Sequence, residues 1–340
     1  MADPRILSIG RAVPSTSYTQ AELYAHRPWP ATALTDRLFL DSPVHRRALF
    51  VPPSFYATPR TLTETNDAWR EGATGLGRAA LVDAIGDREP TDIGWLGVTT
   101  VTGYTTPGLD LLLARDLAFR DDVARVHFNN IGCHAAVPLL RTAAEHVAAD
   151  ADRLAAAVAV EVCSACFSDS DDAENLVAIS LFGDGAAAVV VGGSGDGPRI
   201  VDFGSVYDFE HQDALGFELT ATGFRIVLDP SIPRIIATHI DRAVDDLLTR
   251  AGVPRERVHT WCLHPGGSRI IDAVQAALGL SDDEVRSSRR VLRAYGNMSS
   301  PTVLFVLAES LTSSPPPPGT FGVLASFGPG LGIEVGLLAF

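Results

Sequence analysis

Val123-Ala124-Arg125-Val126-His127-Phe128-Asn129-Asn130-Ile131-Gly132-Cys133-His134-Ala135-Ala136 sets a strand-like run directly against an alanine-rich one. Residues 123–130 read as a strand. Beyond the turn, Val137, Leu140, Ala144 and Val147 recur at helical spacing. Gly132-Cys133 is therefore the joint of a strand–turn–helix unit. A similar unit recurs downstream, where Tyr295-Gly296-Asn297-Met298-Ser299-Ser300 opens a second apolar helix. Each unit is followed by a glycine-rich phrase, Phe182-Gly183-Asp184-Gly185 in the first and Phe327-Gly328-Pro329-Gly330 in the second. Both phrases read as hairpins, since Asp-Gly between apolar runs is a strong turn signal. This weak repeat predicts two topologically similar halves, residues 1–195 and 196–340.

Working outward, strands are expected at 6–9, 95–101, 155–162, 186–191, 259–263 and 322–326, and helices at 63–84, 134–149, 238–251, 268–277 and 299–311. Short β-branched runs alternating with longer helical ones predict an α/β layered fold. Residues 313–320 (Ser-Ser-Pro-Pro-Pro-Pro-Gly-Thr) suit neither helix nor central strand and read as a surface connector.

Composition narrows the function classes. The 340 residues are 46% hydrophobic and 20% charged, enough for a large core in one large domain or two. A net charge of −14 makes nucleic acid an improbable partner, because phosphate neutralisation needs a basic face. All 27 basic residues are arginine. Without lysine, Schiff-base and pyridoxal phosphate chemistry, P-loop phosphate binding and protein-kinase chemistry are excluded. A lysine-free, Ala- and Arg-rich chain also suggests a high-GC bacterial genome. The four cysteines (Cys133, Cys163, Cys166, Cys262) are not needed as disulfide staples in a globule of this size; Cys163-Ser-Ala-Cys166 has redox spacing but no second cysteine pair for zinc, and packing is the better reading there. The N-terminus lacks a signal-peptide pattern, and Glu161 interrupts the best apolar stretch, so a soluble cytoplasmic protein away from membranes is expected.

Three residues are candidates for chemistry. Cys133, before a helix, would meet unpaired N–H groups and a positive dipole end, which favour a thiolate; it could equally be a small buried hydrophobe. His264 ends a strand and enters Pro265-Gly266-Gly267, where α/β folds place active residues, and an imidazole near Cys133 would pair with the thiolate and move protons. It is also one of nine histidines, any of which could be a plain loop residue. Asn297 is either a helix N-cap or an amide donor aimed at an oxyanion.

Taken in order, Gly132-Cys133, Leu181-Phe182-Gly183-Asp184-Gly185, His264-Pro265-Gly266-Gly267, Tyr295-Gly296-Asn297-Met298-Ser299-Ser300 and Phe327-Gly328-Pro329-Gly330-Leu331 resemble the type III polyketide synthases, the chalcone and stilbene synthase family of the thiolase-like superfamily. The resemblance runs from Ile6 to the C-terminus. It implies a five-layer αβαβα thiolase-like fold of two duplicated βα halves, and a homodimer. It makes Cys133 the acyl-accepting nucleophile, and His264 and Asn297 the pair that binds the thioester carbonyl. Phe182 matches a gatekeeper phenylalanine. Within Thr222-Gly223-Phe224-Arg225-Ile226-Val227, Ile226 falls where plant members carry a second one. Thr106 matches the residue that reaches the partner subunit's cavity. Arg46 and Arg47, in Val44-His45-Arg46-Arg47-Ala48, and Arg269 are the candidate coenzyme A contacts.

The activity implied is extension of a Cys-bound starter acyl group by decarboxylative condensation with malonyl-CoA, then cyclisation or release. Coenzyme A thioesters are the substrates, with no other cofactor and with an acyl carrier protein as a possible partner. The nearest alternative is a ketoacyl-synthase-III-like acyltransferase performing one condensation. A cysteine hydrolase would use Cys133, Asp184 and His264 in that order, but Ile131 and Ala135 occupy positions where a nucleophile elbow needs glycine. A non-catalytic partner subunit would have no reason to keep Cys133, His264 and Asn297.

Overall fold

The run Leu154–Val162 is a strand buried on both faces: Ala155, Ala157 and Ala159 enter one apolar cluster, and Ala156, Val158 and Val160 another. A strand covered on both sides reads as a continuous apolar run, and this one marks the centre of a layered molecule. The computed structural model of the chain describes residues 3–27, 29–167, 170–220 and 223–340.

The first half contains β1 (Arg5–Ala12), β2 (Ser17–Thr19), α1 (Gln20–Ala25), α2 (Ala33–Phe39), β3 (Arg46–Ala48), α3 (Leu62–Ile85), β4 (Ile93–Thr100), α4 (Leu109–Asp116), β5 (Ala124–Asn129), α5 (Ala136–Ala149), β6 (Leu154–Val162), α6 (Ala173–Leu181) and β7 (Asp184–Gly192). The second contains β8 (Arg199–Tyr207), β9 (Leu215–Thr220), β10 (Gly223–Leu228), α7 (Ile232–Ala251), β11 (Val258–Leu263), α8 (Ser268–Leu278), α9 (Arg286–Tyr295), α10 (Thr302–Ser313), β12 (Phe321–Gly328) and β13 (Gly332–Ala339).

The main sheet runs β11-β12-β13-β8-β1-β7-β6-β4-β5. Its two parts meet where Arg5 of β1 pairs with Arg199 of β8. Each part repeats one pairing pattern. β4 is parallel to β6, β6 antiparallel to β7 and β7 antiparallel to β1. Likewise β11 is parallel to β12, β12 antiparallel to β13 and β13 antiparallel to β8.

Helices α5 and α10 lie between the two parts, and their apolar residues join Ala157, Val189, Leu324 and Leu338 in one central cluster. On the outer face of the first part, α3 and α4 bury Trp69, Leu81 and Leu113 against β4, β6 and β7. On the outer face of the second, α7 and α8 bury Ile240, Leu247 and Ile271 against β11, β12 and β13. The order is therefore αβαβα, the thiolase-like α/β architecture. Burying a helix on all sides explains why α10 is apolar around its whole circumference from Val303 to Ala308.

One turn reading is corrected. Asp184-Gly185 makes no hairpin: residues 179–181 end α6, Phe182 is its C-cap, and Asp184 opens β7. The Asp184 carboxylate is held inside the protein by the backbone N–H groups of Phe50 and Ser164 and by the Ser164 hydroxyl, so it is no turn residue. The second phrase does form a hairpin, with Phe327 opposite Ile333 and Gly328 opposite Gly332. Strand β5 ends the sheet order.

Candidate active site

Cys133 sits in the turn between β5 and α5, three residues ahead of the helix. Gly132 turns there with φ of +86°, and a Cβ built on it would lie 2.6 Å from Pro329 Cδ. Only glycine lets this turn press against the β12–β13 hairpin. His134 follows Cys133 into the same contact: a Cβ on Gly332 would lie 2.9 Å from its Nε2. The two halves thus close over the cysteine.

The Asn297 and Ser299 side chains lie near enough to the Cys133 thiol to favour its thiolate. The Asn297 side chain is oriented by its own chain. Oδ1 accepts from the Ser299 N–H at 2.8 Å and the Thr302 hydroxyl at 3.5 Å, while Nδ2 has only a long contact, 3.4 Å, to the Gly266 carbonyl. The donor end is therefore the free end of the amide. Ser299 has φ of +60°, a left-handed conformation that a non-glycine residue adopts at a cost, and such strain clusters at functional sites. Asn297 is thus no N-cap: α10 begins at Thr302 after Pro301.

His264 follows β11, and its N–H donates to the Ala325 carbonyl at 2.8 Å. Its carbonyl accepts from Gly266, the residue whose own carbonyl Asn297 Nδ2 approaches. The imidazole is 1% exposed, and both ring nitrogens are buried without a hydrogen-bond partner among the described residues. Orphaned buried polar atoms are rare in folded proteins, which makes His264 a candidate ligand-binding group.

The cavity at Cys133 is lined by Thr102, Cys163, Phe182, Phe217, Ile226 and Pro329, among others. Phe182 and Ile226 pack in one apolar cluster with Cys163 and Ala178, against Cys133 itself. Thr222, in the segment used to place Ile226, lies outside the described residues.

Burial controls protonation here. It pushes the Cys133 thiol up to about 11, with the nearby Glu161 acting in the same direction and the polar side chains of Ser299 and Asn297 opposing it. It pushes His264 down to about 3, aided by His134. The resting pair is accordingly a neutral thiol and a neutral imidazole, not a standing ion pair. Burial disfavours the charged form of each group.

The chalcone and stilbene synthase family matches in two parts: its N-terminal domain at residues 52–195 and its C-terminal domain at 208–339. The 3,5-dihydroxyphenylacetyl-CoA synthase of Streptomyces toyocaensis is 35% identical, over 98% of this chain and 90% of its own. The 1,3,6,8-tetrahydroxynaphthalene synthase of Streptomyces peucetius subsp. caesius is also 35% identical, over 98% of this chain and 92% of its own. This chain belongs to the chalcone and stilbene synthase family. Among solved structures, the 1,3,6,8-tetrahydroxynaphthalene synthase of Streptomyces coelicolor A3(2), a bacterial type III polyketide synthase, matches with a TM-score of 0.92 at 28% identity over 99% of both chains.

As a type III polyketide synthase the chain departs from the sequence reading at Arg47. That residue cannot contact coenzyme A: its side chain is 0% exposed, and its guanidinium donates to Gln20 Oε1 and to the Phe182 carbonyl. Arg46 and Arg269 are exposed and form no ion pair among the described residues. Thr106 is exposed on the loop before α4, where its hydroxyl donates to the Tyr104 hydroxyl at 3.0 Å, and it does not line the Cys133 cavity of its own chain.

Two buried carboxylates of this synthase were not read as such from the sequence, where Glu161 only interrupts an apolar run and Asp184 reads as a turn residue or a hydrolase acid. Glu161 is fully buried beside the site and accepts from Val101 N at 2.9 Å, Thr102 Oγ1 at 2.8 Å and Ser300 Oγ at 2.6 Å. Burial raises its pKa despite these bonds. Asp184, also buried, is pushed up to about 6 for the same reason. The one sequence signal for Glu161 was a carboxylate inside an otherwise apolar strand.

No helix among the described residues is long and apolar enough to cross a membrane.

Proposed function

We propose that Cys133 is the acyl acceptor of this type III polyketide synthase, and that His264 and Asn297 hold the thioester carbonyl. As Cys133 Sγ attacks a starter acyl-CoA, its proton passes to His264 and then to the departing coenzyme A thiolate. Malonyl-CoA next places its carbonyl oxygen against an imidazole N–H and Asn297 Nδ2. Loss of its carboxylate as CO2 leaves an enolate whose oxyanion these donors stabilise. The enolate carbon attacks the Cys133 thioester, forming a carbon–carbon bond and expelling the Cys133 thiolate. The product is a coenzyme A thioester two carbons longer, and its return to Cys133 starts another round. The electrons for bond formation come from the C–CO2 bond, so the balance is complete with coenzyme A thioesters alone.

What supports this reading is the Asn297 amide, which favours the Cys133 thiolate, together with a His264 imidazole whose two nitrogens are buried and, among the described residues, unpartnered. Phe182 and Ile226 shape the acyl cavity. Arg46 and Arg269 are exposed cations available to the coenzyme A phosphates. The carbon skeleton is built by two halves, 1–195 supplying the nucleophile and 196–340 the carbonyl-binding pair. The working form is a homodimer formed through the edge strand β5. The Thr106 loop adjoins that strand, since a Cβ on Gly108 would lie 3.1 Å from His127 Nδ1, and this lets Thr106 reach the partner's cavity.

Purified protein given malonyl-CoA and a panel of starter acyl-CoAs, with products weighed by mass spectrometry, tests the reading. Several CO2 released per starter is the expected result. One CO2 per starter would favour a single-condensation acyltransferase instead.

A further inference from the structure

Arg47 is a cation with no exposure to solvent and, among the described residues, no carboxylate within ion-pairing distance. Burial lowers its pKa to about 9, with Asp184 opposing, so it stays charged at neutral pH. A buried charge is expensive, and the reaction steps above make no use of this one. What it holds is specific. Nε and Nη2 donate to Gln20 Oε1 at 3.2 and 2.9 Å, and Nη1 donates to the Phe182 carbonyl. Gln20 in turn donates to the Ser180 carbonyl at 2.7 Å. The Arg47 stem runs between the two loops that build the cavity. A Cβ on Gly296 would lie 2.8 Å from Arg47 Cδ, and one on Gly183 would lie 3.4 Å from Arg47 Cβ. Gly183 and Gly296 are the chain neighbours of Phe182 and Asn297, which are themselves bridged.

We infer that Arg47 is a positioning residue: clamped between Gln20 and the Phe182 carbonyl, it fixes the Phe182–Asn297 junction and so aims the Asn297 amide at the reacting carbonyl. The inference rests on the function proposed above. It also explains why the guanidinium fork is needed, since a planar donor can serve two acceptors at once where an aliphatic side chain of equal length would serve none.

The test is the steady-state release of CO2 from malonyl-CoA by wild type, Arg47→Met and Gln20→Met, each assayed well below its melting temperature. For Arg47→Met, kcat is expected to fall roughly tenfold or more with KM for malonyl-CoA unchanged, because a misplacement near 1 Å at a reacting centre can cost about a hundredfold. Gln20→Met keeps the charge and loosens only the clamp, and should show a smaller fall in the same parameter; it serves alone if Arg47→Met does not fold. A raised KM with intact kcat would mean that Arg47 serves substrate binding and would overturn the inference. A lowered melting temperature with both constants intact would reduce Arg47 to a packing role and would overturn it equally. Variants that match an active wild type overturn only this inference, whereas a wild type that releases no CO2 overturns the proposed function as well.

Discussion

Asn297 and Phe182, one from each half of the chain, are bridged in parallel: Asn297 N donates to the Leu181 carbonyl at 3.0 Å, and Gly183 N donates to the Asn297 carbonyl at 2.9 Å. The amide that faces the thiol and the ring that walls the cavity are therefore parts of one backbone unit. A shift of either half against the other would move both, which ties catalytic geometry to cavity shape.

Replacing the nucleophile should separate two steps. Cys133→Ala removes the acyl acceptor but leaves His264 and Asn297 in place. Polyketide formation is expected to stop, while CO2 is still released from malonyl-CoA. Full product formation by this variant, read by mass spectrometry, would contradict the assignment of Cys133.

The donor end of Asn297 is expected to matter more than its bulk. Asn297→Ala should lower the rate of malonyl-CoA decarboxylation by about 10²–10³, the usual cost of losing one oxyanion donor. KM should change little, because the bond strengthens as the enolate forms. A rise in KM alone, in a kinetic assay of CO2 release, would show that the amide serves ground-state binding.

Cavity shape should follow residue 226. Ile226 is buried against Phe182, next to the edge-to-face pair of Phe217 and Phe224 with ring centroids 6.0 Å apart. Ile226→Phe adds a ring to this wall and should shift the starter profile towards smaller acyl groups. An unchanged profile across a starter panel would mean that Ile226 does not bound the acyl cavity.

Folding stability should carry the signature of a buried neutral histidine. His264 is held at about 3 by burial, against 6.5 in the unfolded chain. Between those values the unfolded chain binds a proton that the folded one refuses, so stability falls as pH falls through 6.5. At pH 5 the loss is roughly 2 kcal/mol for this group. Urea unfolding of wild type and His264→Gln at pH 7.5 and pH 5 should show a pH-dependent loss larger by about that amount in the wild type. Equal losses would show that His264 titrates normally in the fold.

Cys133 and His264 were legible as candidates because each follows a strand in a glycine-containing turn, and such joints leave a local pattern; Asn297 follows α9 and was legible only through the phrase Gly296-Asn297-Met298-Ser299-Ser300. The layered fold was legible because buried strands such as β6, apart from Glu161, and buried helices such as α10 read as near-continuous apolar runs. Arg47 was misread because its role is tertiary. In β3, adjacent side chains point to opposite faces, so Arg46 emerges into solvent and Arg47 turns inward. Nothing in Arg-Arg alone says which face is the core. Asp184-Gly185 looked like a hairpin because an aspartate before glycine usually turns the chain; here the carboxylate is claimed by Phe50 and Ser164, from segments distant in sequence. Ser299 left no signal, since its left-handed backbone is imposed by the loop that aims Asn297.

The central claim is that one sulfur carries the growing chain. Wild-type enzyme mixed with a starter acyl-CoA alone, digested and mapped by mass spectrometry, tests it most directly. The acyl mass should appear on the peptide containing Cys133 and disappear when malonyl-CoA is added. An acyl group on Cys163, Cys166 or Cys262 instead, or product formed with no acylated peptide at any time, would contradict it.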